Sequence, residues 1–123
     1  MKFCILAPAM LMLVLLGCTT APSDVPVDPS YATDVQPIFS ANCVTCHGTS
    51  SPSGGYSLTS HAGATGPGSD TIPNVIPSAA DSSKLYHRVT GTVMPQMPKE
   101  RPPLNAVQLT TIKKWIDQGA KNN

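Results

Sequence analysis

Cys43, Cys46 and His47 stand together in the stretch Cys43-Val44-Thr45-Cys46-His47-Gly48. Two thiols with an adjacent imidazole can ligate zinc, cycle between dithiol and disulfide, or anchor a haem through thioethers with the imidazole on its iron. Zinc wants four Cys/His ligands, usually as two paired clusters, and the other histidines, His61 and His87, are scattered along the chain. A thioredoxin-like pair opens a helix that follows a buried strand, and no strand pattern precedes Cys43. The spacing favours haem. Cysteines three apart fall on one side of a helical turn, where each sulfur can meet one vinyl group, and the next residue brings its imidazole under the iron.

Iron held by one histidine has a second axial position. Beyond residues 1–17, which contain Met1, Met10 and Met12, the methionines are Met94 and Met97, in the stretch VMPQMPKERPPL. A thioether opposite histidine raises the reduction potential relative to two histidines. Pro95, Pro98, Pro102 and Pro103 pre-set φ in this loop and lower the entropy lost in holding it against a haem face. His87 and His61 are the competing ligands. His87 lies on a helical pattern whose apolar positions, Leu85 and Val89, point elsewhere, and His61 sits in a Ser/Gly-rich stretch, so both read as exposed. Met94 and Met97 are equivalent at this level.

The N-terminus predicts export from the cytoplasm. Lys2, an apolar run from Phe3 to Leu16 and small residues after it have the layout of a secretory signal, and the run is shorter than the roughly 20 residues of a membrane span. Leu15-Leu16-Gly17-Cys18 resembles a bacterial lipobox, which implies a lipid on Cys18, and Thr19 after it resembles outer-membrane sorting in bacteria with two membranes. Residues 1–17 are then signal peptide, 18–30 the anchor and a tether, and 31–123 the folded domain. The segment from Thr19 to Ser30, with three prolines and no apolar periodicity, reads as extended. At about 3.1 Å per residue it would reach roughly 35 Å. The whole chain's formal net charge of +1 hides an asymmetry: Cys18–Ser83 has five Asp and no Lys or Arg, whereas Lys84–Asn123 has seven Lys/Arg and two acids. Such a balance argues against nucleic acid as a partner.

Short helices must position these groups, since 13 Pro and 9 Gly in 123 residues leave little room for long ones. Val35, Ile38, Phe39 and Cys43 recur at helical spacing, predicting a helix over Asp34–Asn42 capped by Asp34 with Pro37 in the first turn. The stretch DSSKLYHRV predicts a second, capped by Asp81. The strongest pattern is Asn105–Gln118, with Asn105 as cap, Gln108 three on, Leu109, Ile112 and Ile116 on one face and Gly119 as the stop. Trp115 is expected at its junction with the cysteine-bearing helix. Few aromatics and a Gly/Pro/Ser-rich middle leave a thin core, which a buried porphyrin would complete.

The landmarks DVQPIFSANCVTCHG, GGYSL at 54–58, RVTGT at 88–92, MPKERPPL at 97–104 and WIDQGA at 115–120 occur in this order. Through them the chain from Asp34 to Ala120 resembles small monohaem class I cytochromes c of the planctomycete-type cytochrome C group. That resemblance implies an all-α class I cytochrome c fold, three to four short helices and long Pro/Gly-rich loops around one covalent haem c. It implies Cys43 and Cys46 as thioether attachments, His47 as proximal ligand and the methionine of a Met-Pro pair as distal ligand. Counting back from Pro102-Pro103-Leu104 gives Met97 that place, with Met94 as the rival. Lys99 stands where the group commonly has a second proline. With both axial positions filled by protein, outer-sphere electron transfer to redox partner proteins is expected, with no catalytic residues and no small-molecule substrate. The rival class is a haem-based sensor or peroxidase-like enzyme with a displaceable sixth ligand.

Overall fold

A computed structural model describes residues 24–123. Their regular structure is helical, in the order α1 (Gln36–Asn42), α2 (His61–Thr65), α3 (Lys84–Thr90) and α4 (Ala106–Asp117), and no strand occurs among the described residues. The all-α architecture expected from the sequence is the one the chain adopts.

The longest helix, α4, follows from its ends. Asn105 Oδ1 accepts from the Gln108 N–H at 2.9 Å and Gln108 Oε1 accepts from the Asn105 N–H at 3.0 Å, so each caps the other's free donor. At the far end Gly119 takes φ +103°, its N–H donating to Ile116 O, while the Ala120 N–H donates to Trp115 O. These two bonds are a Schellman stop, which glycine makes at least strain. Between the ends Ile112, Trp115 and Ile116 are buried, and Trp115 meets the rings of Tyr31 and Phe39 at centroid distances of 5.4 and 6.4 Å. Trp115 therefore fills the expected junction between α4 and the cysteine-bearing helix.

That helix begins differently from the prediction. The chain turns at Ser30, passes through one wide turn over Tyr31–Val35 and only then becomes α1. Asp34 is not the cap; its Oδ2 reaches back to accept the Ser30 N–H at 2.8 Å. Pro37 supplies the physical reason: it has no N–H to give Thr33, and its ring would press on that carbonyl in a regular α-turn. A turn of wider pitch just before it carries the chain past that position.

Two other local expectations also give way. Asp81 does not cap α3, which starts after Ser83; its carboxylate pairs with Lys113 at 3.3 Å. His61 is half-buried rather than exposed. It opens α2, sets its imidazole edge-on to Tyr31 and Trp115, and its Nε2 lies 2.7 Å from Ala120 O. The latter half of the segment read as a tether meets α4, where Lys114 Nζ donates to Pro26 O and Gln118 Nε2 to Val27 O. Cys18 and the signal region lie outside the described residues.

Candidate cofactor site

Cys43 follows α1 directly, and one further turn carries the chain to His47, whose N–H donates to Cys43 O at 2.9 Å. The turn puts both sulfurs and the imidazole on the wall of one cavity of about 810 Å³, within the range of ligand pockets. Its floor is apolar: Leu58, Leu85 and Val89 are buried, and Tyr56 nearly so.

The two thiols are free of each other. Cys43 is buried, and burial pushes its thiol up to about 11, with Arg101 pulling weakly the other way. A redox-active dithiol needs the opposite shift, toward the thiolate. Among the described residues no group of His, Cys, Asp and Glu is arranged to hold a bare metal ion. Both cysteines stand beside a largely apolar cavity instead.

His47 Nδ1 lies 2.8 Å from Tyr56 O. A carbonyl only accepts, so Nδ1 carries the proton, and in the neutral ring Nε2 keeps the lone pair. The Tyr56 carbonyl sits on a loop bound to the motif at both ends, the Ser53 N–H donating to Cys46 O and the Leu58 N–H to His47 O. The Tyr56 hydroxyl donates to Ala64 O at 2.6 Å, and burial raises that phenol far above its ordinary range.

The structure separates the two methionines. Met97 is half-buried against the core and lines the cavity with Pro95 and Pro98; Met94 is 72 % exposed and does not. The loop between them is tied to α3. The Met97 N–H donates to Arg88 O, Gln96 Nε2 to Val89 O, and Arg88 Nη1 to Met94 O. His87 and His61 are not among the cavity residues.

Cations crowd the rim. Lys84, Arg88, Lys99 and Arg101 line the cavity with Asp70, and Lys84 is the one paired with that acid. Arg101 reaches across to Ala41 O and Thr45 Oγ1, closing the rim against α1. The remaining three have no carboxylate partner among the described residues. These residues fit a haem: sulfurs for its vinyl groups, a lone pair for its iron, a greasy floor for its ring, and cations for its two propionates.

Sequence reasoning missed Tyr56, Arg88 and Arg101. Tyr56 left a signal, as the one aromatic in the Gly/Ser-rich middle, nine residues after His47. The arginines left only the basic bias of the C-terminal third.

Residues 43–101 match the family described as Planctomycete cytochrome C. No curated protein and no solved structure matches the chain.

Proposed function

We propose that the cytochrome c-type domain of this chain is an electron carrier working outside the cytoplasm, lipid-tethered through Cys18, with one haem bound covalently at Cys43 and Cys46. His47 serves as the proximal ligand and Met97 as the distal one. One observation carries the reading: the bond at 2.8 Å between His47 Nδ1 and Tyr56 O, which leaves Nε2 as a lone pair in a cavity that Cys43, Cys46 and Met97 share.

A haem held there supplies reversible one-electron exchange between ferric and ferrous iron. The chain's residues do the rest. His47 enters with its tautomer already set, so no proton is rearranged when the ligand engages. Leu58, Leu85 and Val89, buried along the cavity wall, would exclude water from the ring and give its iron a low-dielectric surrounding. Met97, on a loop stapled to α3 by Gln96 and by the Met97 N–H, is the residue that would hold the iron opposite His47. Arg88, Lys99 and Arg101 offer their charge to the propionates.

The test is the mass and absorption spectrum of the exported protein, with Met97→Ala and Met94→Ala compared. The expected result is one added haem, a low-spin ferric state with a methionine-to-iron charge-transfer band, and loss of that band in Met97→Ala alone. A high-spin ferric wild type that binds small ligands readily would replace the carrier with a sensor or peroxidase-like enzyme.

A further inference from the structure

We infer that the Tyr56 hydroxyl is the positioning group for His47: by donating to Ala64 O it holds its own backbone carbonyl where the His47 Nδ1–H meets it. The inference rests on the reading of His47 as the proximal ligand.

The carbonyl follows a single tight turn over Ser53–Gly55, on a loop whose backbone is tied to the motif at Ser53 and Leu58. Gly54 and Gly55, immediately before Tyr56, both take positive φ, at +64° and +65°, so the backbone there is of the most permissive kind. The hydroxyl adds to these backbone bonds a side-chain constraint at Tyr56 itself. Its bond to Ala64 O is 2.6 Å and buried, and Ala64 lies in α2. A phenylalanine would fill the same apolar space without needing a partner, so packing alone does not account for the oxygen.

An anchor must itself be fixed, and α2 is fixed at both ends. At its start His61 Nε2 bonds to Ala120 O at 2.7 Å, with its ring against Tyr31 and Trp115. At its end Gly66 O accepts from both the Asn74 N–H, at 3.1 Å, and Asn74 Nδ2, at 3.0 Å. A continuous line of bonds thus joins the imidazole of His47 to the tail of α4, through Tyr56, α2 and His61. The Tyr56 and His47 rings also meet edge to face, with centroids 5.7 Å apart. Such a line sets the ligand's electronic character as well as its angle. A well-aligned Nδ1–H···O=C bond makes the imidazole a stronger donor, which favours the ferric state.

The experiment is a spectroelectrochemical titration of the haem-loaded wild type, Tyr56→Phe and His61→Phe, with exchange of the His47 Nδ1 proton followed by NMR in the ferrous state. Tyr56→Phe should shift the ferric-to-ferrous equilibrium toward ferrous by up to tenfold, 59 mV for one electron, and speed the proton's exchange. His61→Phe, which keeps an aromatic ring but frees α2 from Ala120, should shift it the same way by less. Should Tyr56→Phe fail to retain haem, the sign of the His61→Phe shift decides alone. An unchanged potential and exchange rate in Tyr56→Phe, even with a lower melting temperature, make the hydroxyl merely structural and overturn the inference while the carrier reading stands. A wild type with no haem couple overturns both.

Discussion

The loop that carries Met97 is launched by Gly91, and a Gly91→Ala substitution tests how that launch is built. Gly91 ends α3 at φ +78°. Placing an L-side chain in the left-handed region costs about 1 kcal/mol. A Cβ there would also stand 2.9 Å from Gln96 Cδ and 3.0 Å from its Oε1. That side chain is flexible and can swing away, but doing so breaks its bond to Val89 O, at about 1 kcal/mol. The single substitution should therefore cost about 2 kcal/mol, and Gln96→Ala alone about 1. If the alanine acts through Gln96, the shared bond is lost only once. The double variant should then cost about 2 kcal/mol rather than the additive 3. Urea denaturation of the four proteins measures the cycle, and the methionine-to-iron band reports whether the loop has moved. Additivity within a few tenths of a kcal/mol would refute the steric link between Gly91 and Gln96.

Three further outcomes are expected. Replacing both Cys43 and Cys46 by alanine should give a haem-free chain without cooperative thermal unfolding, because a cavity of about 810 Å³ is then left unfilled in a small domain; native-like circular dichroism with a sharp melt would contradict this. Trp115→Ala should cost about 3–5 kcal/mol by urea denaturation, while Trp115→Phe leaves the reduction potential unchanged, since Trp115 packs the core and does not line the cavity. Asp117 is held below the ordinary carboxylate value first by Lys113 and then by the Ala80 N–H, and Asp70 first by Lys84 and then by the Ile72 N–H. The unfolded chain therefore binds protons more readily, so stability should be complete above about pH 5 and fall as pH drops through about 4 and below; a urea midpoint indifferent to pH over that range would show these pairs to be idle.

What the sequence disclosed, and what it withheld, divides by the reach of each interaction. Asn105 and Gln108 cap α4 across three residues, and Gly119 ends it with bonds to the turn just before, so the whole helix can be read locally. The haem motif is equally local, because Cys43, Cys46 and His47 meet their geometry within one turn. Asp34 and Asp81 were misplaced for a different reason. Each has the right chemistry for a cap, but Pro37 widened the turn around one, and Lys113, 32 residues away, took the other. His61 found its partner 59 residues on, and Pro26 and Val27 found theirs 88 and 91 residues on. No periodicity encodes such distances. Met94 and Met97 sharpen the point: both precede proline and both carry the same thioether, so nothing local ranks them. They differ in tertiary placement, and that placement comes from Arg88, Val89 and Gln96 tying one side of the loop to α3. The side chains proposed to bond the cofactor were therefore legible from their types and spacing. Tyr56 was not, because it contributes a backbone carbonyl, which any residue carries, and is singled out only by where its hydroxyl is anchored.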